Sequence, residues 1–143
     1  MTLQDTKTGK DRTEKRMDGK ASQGAEVLLM GNEAIARGAL EAGVRVAAGY
    51  PGTPSSEIIE TLSRASGDGR PYVEWSTNEK VAMEVAAAAS FAGLRSLCVM
   101  KQNGVNVASD FLLHLTGSGT RAGMVLVTCD DPGALSSVNE GES

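Results

Sequence analysis

YVEWSTNEKVAMEVAAAAS, residues 72 to 90, joins a short strand pattern, a polar turn and a helix of small apolar residues. A helix whose apolar side chains are mostly Ala and Val can pack closely against a sheet. The stretch therefore predicts a strand that leads into a buried helix. One carboxylate, Glu79, stands where that helix begins to be buried.

The same alternation of strand and helix runs outward in both directions from this stretch. Apolar runs predict five strands, at residues 26–30, 44–48, 72–75, 96–100 and 124–128. Continuously apolar strands that alternate with helices are typical of a parallel sheet covered on both faces. The sequence thus predicts an α/β fold, a doubly wound, mostly parallel sheet of about five strands. Residues 1–24 are predicted to be a disordered polar leader, and residues 25–143 a single domain.

Composition and charge exclude several classes of function. The formal net charge of −4 favours no nucleic-acid partner. No apolar run approaches the roughly 20 residues of a membrane span, and the N-terminus lacks the apolar core of a secretory signal. Cys98 and Cys129 are predicted to be buried thiols, too few to ligate an iron–sulfur cluster. His114 is predicted to lie packed or at an edge. We expect a cytoplasmic protein without a membrane partner.

In parallel sheets, ligands bind beyond the carboxyl ends of the strands. The loops that follow strands here are residues 49–56, 76–79, 101–106 and 130–137. None carries a phosphate-binding fingerprint of the dinucleotide or nucleoside triphosphate kind. Asp130 and Asp131 fit a turn, and without further ligands they predict no metal site.

Glu79 admits two interpretations from its neighbours. Ser76 and Glu79 have the spacing of a capping box, in which the glutamate reaches back to the N–H of the capping serine. Alternatively, a carboxyl at the entry of a buried helix is partly desolvated, which favours its protonated form. A protonated carboxyl can donate a hydrogen bond to a ring nitrogen.

Two further loops also admit a structural and a functional interpretation. Thr53 is predicted to cap a helix with Pro54 as its first residue. Its hydroxyl and the free N–H groups at that helix start would also suit a carboxylate. Residues 101–104 (KQNG) form either a solvated turn or a cluster of hydrogen-bonding side chains.

Taken together and in order, five segments resemble one family. GNEAIARGALEAGV, GYPGTPSSEI, EWSTNEKVAMEVAAAASFAGLRS, MKQNGVNVASD and DDPGALSSVNE are similar to the start of the α subunit of indolepyruvate-type enzymes. These belong to the thiamine-diphosphate-dependent 2-oxoacid:ferredoxin oxidoreductases. The resemblance covers residues 28 to 140 or so, and it implies that the segment is the pyrimidine-binding domain.

The resemblance also implies roles for individual residues. Glu79 would be catalytic, because it would hydrogen-bond the pyrimidine N1′ and promote deprotonation of the thiazolium C2. Thr53 and Lys101 would contact the substrate. The residues implied to bind the cofactor are Pro51, Gly52, Thr53, Glu79 and Asn103.

For the whole enzyme, the family implies oxidative decarboxylation of aryl 2-oxo acids such as indolepyruvate to acyl-CoA, with electrons passed to ferredoxin. Mg and 4Fe-4S clusters are expected in a missing portion or a partner, not in this chain. The chain would need a diphosphate-binding domain or partner subunit, would be oligomeric, and would be inactive alone. It is predicted to be the front part of such an enzyme.

Three alternatives remain at this stage. The chain is a non-catalytic docking copy of the domain, which an exposed face around Met83, Ala87 and Phe91 would favour. It is half of a split thiamine-diphosphate-dependent 2-oxo acid decarboxylase. Or it is an unrelated nucleotide-binding domain, which its loops disfavour.

Overall fold

The computed structural model describes residues 26–68 and 70–133. The predicted leader and the second half of the loop at residues 130–137 lie outside the described residues. The described part contains four helices and four strands in alternation, namely α1 (Gly31–Glu41), β1 (Val46–Gly49), α2 (Ser56–Ala65), β2 (Tyr72–Trp75), α3 (Glu79–Phe91), β3 (Ser96–Lys101), α4 (Gly104–Ser118) and β4 (Met124–Cys129).

The four strands form one parallel sheet in the order β2-β1-β3-β4. Helices α1 and α2 pack on one face around Ile58, Ile59 and Leu62. Helices α3 and α4 pack on the other face, around Met83 and Met100. The predicted doubly wound fold is thus confirmed. The chain reverses its direction of strand addition between β1 and β3, the position where ligands bind in such sheets.

The strand predicted at residues 26–30 is wrong, so the described sheet has four strands rather than about five. These residues pair with no described strand, and Leu28 is 86% exposed. Met30 instead occupies the N-cap position of α1, where its backbone N–H donates to Glu33 Oε2 at 3.0 Å. An apolar run has strand propensity, but it forms a strand only where a neighbouring edge accepts its hydrogen bonds.

Helices α1 and α2 differ in how clearly their apolar residues mark the buried side. In α2, Ile58, Ile59 and Leu62 are fully buried and have the spacing of one helix face. In α1, Ala36 and Ala39 are buried whereas Ile35 is 41% exposed. The apolar side of a helix is only loosely defined when most of its candidates are alanines.

Helix α3 buries two of the three residues on which the docking-copy alternative depended. Met83 and Ala87 are fully buried within the fold, and of the three residues only Phe91 is exposed. The exposed face that would have favoured a docking copy is therefore not formed by Met83 and Ala87.

The two cysteines differ in burial. Cys98 is fully buried in β3, as predicted, whereas Cys129 is only partly buried. Burial raises the pKa of Cys129, with a smaller contribution from Glu57.

His114 is exposed at the edge of α4, with its Nε2 3.6 Å from Asp110 Oδ1. Among the described helices, none has both the length and the apolar content needed to cross a bilayer.

Candidate functional site

The loops after β1 and β3 meet at the carboxyl ends of the two central strands. Tyr50 N–H donates to the carbonyl of Val99 at 3.3 Å, which continues the strand pairing into the first loop. A Cβ placed on Gly52 would lie 2.8 Å from Cβ of Lys101, closer than real Cβ contacts. Glycine is therefore required at position 52 for the two loops to pack together. Pro51, beside it, is exposed.

Glu79 is the first residue of α3, and the predicted capping box is wrong. Asn78 caps the helix, because its Oδ1 accepts the N–H of Val81 at 2.9 Å. Ser76, the predicted cap, donates its hydroxyl to Glu74 Oε1 at 2.8 Å instead. A capping-box glutamate must be the third helical residue, so Glu79 does not take that role here.

Replacement of the observed cap tests this assignment. Asn78→Ala is expected to lower the free energy of unfolding by about 0.5–2 kcal/mol, because the Val81 N–H loses its acceptor. Urea denaturation of the full chain measures the loss. Asn78→Ser retains a capping oxygen and is the matched control, so it should stay close to the wild type. Equal stability of the alanine variant would contradict the assignment.

The Glu79 side chain lies against the first residue of α4. A Cβ placed on Gly104 would be 2.5 Å from Glu79 Cγ and 2.8 Å from its Oε1. Only glycine leaves room for the carboxyl at this point. Within the part of the chain that the structure describes, no hydrogen bond or ion pair engages the Glu79 carboxylate.

The negative charge of Glu79 acts on Cys98, which is buried in β3. Burial raises the pKa of Cys98 to about 12, and the negative charge of Glu79 adds to that rise. Cys98 belongs to the core under α3 and α4. Glu79 is thus on the same face of the sheet as Cys98.

The loop after β1 is ordered by its own hydrogen bonds, and the predicted Thr53 cap is wrong. Helix α2 begins at Ser56 with Ser55 in the N-cap position. The carbonyl of Gly52 accepts from Ser55 N at 2.8 Å and from Ser55 Oγ at 2.9 Å, which holds a turn before the helix. Thr53 lies in that turn with an exposed side chain, so it does not cap α2.

Lys101 lies on the other face of the sheet from Glu79. Side chains alternate along a strand, so Lys101 shares the α1 and α2 face with Val99. Its Nζ donates to the carbonyl of Thr53 at 2.9 Å and to Asp131 Oδ1 at 2.7 Å. The structure thus brings Gly52, Thr53 and Lys101 together.

The turn between β3 and α4 lies on the Glu79 side. Asn103 occupies the N-cap position of α4 without a side-chain capping bond, next to Gly104. Gln102, which sequence reasoning did not single out, has a buried Oε1 that accepts no hydrogen bond among the described residues. Its position directly after a buried strand is the signal that could have identified it. No group of three potential metal ligands occurs among residues 26–68 and 70–133.

Comparisons with known proteins identify the family of this chain. The family described as pyruvate flavodoxin/ferredoxin oxidoreductase, thiamine diphosphate-binding, matches residues 37–134. The chain is 56% identical over 126 residues to indolepyruvate oxidoreductase subunit IorA of Archaeoglobus fulgidus, covering 85% of this chain and 20% of that protein. It is 51% identical over 120 residues to the subunit of the same name from Thermococcus kodakarensis, covering 84% and 18%.

A solved structure shows the same fold. A 2-oxoglutarate:ferredoxin oxidoreductase from Magnetococcus marinus superposes with a TM-score of 0.66 at 23% identity, covering 74% of this chain and 18% of that chain. The chain spans about a fifth of the length of the curated relatives it matches. On the extent of the family match, this chain belongs to the thiamine-diphosphate-binding family of pyruvate flavodoxin/ferredoxin oxidoreductases.

Proposed function

We propose that this chain forms the pyrimidine-binding side of a thiamine diphosphate site in an oxidoreductase that acts on aryl 2-oxo acids such as indolepyruvate. The observation that carries the proposal is the Glu79 carboxylate. It lies against Gly104 at the carboxyl end of the sheet, in a space that any side chain at position 104 would fill. No described group engages it, so it can bond to a ligand.

The residues present fit the pyrimidine end of the cofactor. An aminopyrimidine ring offers both hydrogen-bond acceptors and donors. The Glu79 carboxyl can form a hydrogen bond with one ring nitrogen. The buried Gln102 Oε1 is an acceptor to which the amino group of the ring could donate. The described residues offer no cluster for a divalent ion, so the proposal assigns the diphosphate and its Mg to another domain or a partner subunit.

The proposal gives each group of residues a distinct task. Thiamine diphosphate, when bound, would supply the chemistry that decarboxylates a 2-oxo acid. Glu79 holds the proton shared with the pyrimidine N1′ and so fixes the ring in its reactive protonation state. Pro51, Gly52, Thr53 and Asn103 border the ring as cofactor-binding residues, and Thr53 stays a predicted substrate contact.

The relatives support the proposed substrate and partner. Their name, indolepyruvate oxidoreductase subunit, supports an aryl 2-oxo acid as substrate and a further subunit as partner. The proposal includes ferredoxin as electron acceptor, coenzyme A as acyl acceptor, 4Fe-4S clusters outside the described residues and an oligomeric, cytoplasmic assembly. Residues 25–143 would be the pyrimidine-binding domain, inactive without the rest of the site.

Isolation of the assembly from its native host tests the proposal. The chain would be tagged at its own locus, purified with the proteins that accompany it and depleted of cofactor. We expect indolepyruvate to reduce ferredoxin in a reaction that needs both added thiamine diphosphate and coenzyme A. Phenylpyruvate and a branched 2-oxo acid measure the substrate range. An assembly that reduces ferredoxin equally well without thiamine diphosphate would refute the proposal.

The same preparation separates the two remaining alternatives. A split decarboxylase would release the aldehyde and carbon dioxide without ferredoxin or coenzyme A. A docking copy would leave the activity of its partner unchanged when Glu79 is replaced. Neither alternative is favoured by a contact among the residues that the structure describes.

A further inference from the structure

The ion pair between Lys101 and Asp131 joins three loops at the carboxyl end of the sheet. Lys101 ends β3, Asp131 follows β4, and the carbonyl of Thr53 belongs to the loop after β1. The Lys101 ammonium donates to both of the other groups, at 2.7 Å to Asp131 Oδ1 and at 2.9 Å to the Thr53 carbonyl. The contact therefore links segments that are far apart in sequence.

The pair is largely withdrawn from solvent. The side chains of Lys101 and Asp131 are only 17% and 11% exposed. A buried ion pair depends on both partners, because removal of one leaves an uncompensated charge away from water. Loss of either charge should therefore disturb the Thr53 turn as well as the pair itself.

The direction of the Lys101 side chain bears on its role. Lys101 lies on the face of the sheet that carries α1 and α2, whereas Glu79 lies on the face that carries α3 and α4. Gly52 packs closely against the Cβ of Lys101. Lys101 therefore supports the loop after β1 in two ways, through the packing of its aliphatic stem and through the hydrogen bond from its ammonium to the Thr53 carbonyl.

We propose that Lys101 and Asp131 are positioning residues, whose ion pair holds the loop at residues 50–55 in the conformation that receives the cofactor. The inference rests on the proposed function for the identity of the ligand. It assigns Lys101 to support of the loop rather than to the substrate carboxylate, and it gives Asp131 a role that the sequence did not indicate.

Amide hydrogen exchange in the full chain without cofactor tests the support of the loop. Asp131→Asn keeps the size of the side chain and removes its charge. We expect the amides of Gly52 and Ser55 to exchange at least about tenfold faster. The Val81 amide in α3 should be unaffected. Asp130→Asn is the matched control, since its retained oxygen can still accept from the Asp131 N–H.

Lys101→Gln removes the charge from the other side of the pair and answers the question if Asp131→Asn does not fold. Lys101→Gln also removes the hydrogen bond to the Thr53 carbonyl, so its effect should be at least as large as that of Asp131→Asn. The double variant should accelerate exchange no more than Lys101→Gln alone, because the ion pair is already lost in that single variant. Unchanged exchange at Gly52 and Ser55 in both single variants would overturn the inference. This arm needs no enzymatic activity, so its outcome is independent of the proposed function.

Kinetics of the purified assembly test the link to the cofactor. Both single variants are expected to raise the thiamine diphosphate concentration for half-maximal activity by about tenfold or more, with the KM for indolepyruvate unchanged. If Lys101→Gln raises the KM for indolepyruvate while Asp131→Asn does not, Lys101 binds the substrate carboxylate and the inference fails. If the activity of the wild-type assembly does not depend on thiamine diphosphate, the proposed function is refuted instead.

Discussion

Glu79→Gln is expected to lower the thiamine-diphosphate-dependent activity of the assembly by about 10²–10⁴-fold, the range that positioned proton-transfer groups contribute. The glutamine amide keeps nearly the same shape in the space beside Gly104, so the site should stay intact. What changes is the ability to hold and release a proton at the ring nitrogen. Initial rates of indolepyruvate-dependent ferredoxin reduction measure the effect.

Glu84→Gln is the matched control for this substitution. Glu84 lies in the same helix, five residues farther on, and is not part of the proposed site. Glu84 is half-buried, and glutamine keeps nearly its shape, so its replacement should leave the rate within about twofold of the wild type. Urea denaturation of both variants checks that neither is unfolded. Full activity of the Glu79→Gln assembly would remove Glu79 from the mechanism.

The parallel sheet was predictable because its signals are local and repeated. Continuous apolar runs such as residues 97–100 (LCVM) are typical of strands covered on both faces, and the helices between them are long enough to cross over. The exception at residues 26–30 marks a limit of this reasoning. Strand formation needs a partner edge, and sequence pattern does not show whether one is available.

The site was predictable as a set of loops but not as a set of contacts. Glu79 was identified from its place at the entry of an apolar helix, yet its partner Gly104 is 25 positions away and was not linked to it. The capping box misassigned Glu79 because the polar residues before α3 include two possible caps. The spacing of Ser76 matched the pattern, but the chain uses Asn78.

Lys101 shows why the direction of a side chain has to come from the structure. At the end of a strand, a shift of one residue moves a side chain to the other face of the sheet. The sequence placed Lys101 at the end of the strand that precedes α4. It did not show that the Lys101 side chain lies on the face of the sheet away from Glu79. Its partner Asp131 follows a different strand, so their spacing in the chain carried no signal.

Gly104→Ala is expected to impair the site through sterics alone, without removal of any functional group. The new methyl group would lie 2.5 Å from Glu79 Cγ and 2.9 Å from its Cδ, so the carboxyl must move. Displacement of a catalytic group by about 1 Å can cost on the order of 10²-fold in rate. We therefore expect a loss of about this size in indolepyruvate-dependent ferredoxin reduction, although Glu79 itself is retained.

Gly117→Ala separates this steric effect from the change in helix propensity. Gly117 lies in the same helix, and a Cβ there would meet nothing within 4 Å. Its replacement should leave activity unchanged and raise stability by up to about 1 kcal/mol, the difference between alanine and glycine within a helix. If Gly104→Ala also keeps full activity, the carboxyl of Glu79 tolerates displacement, and its close fit against α4 is not what positions it for the cofactor.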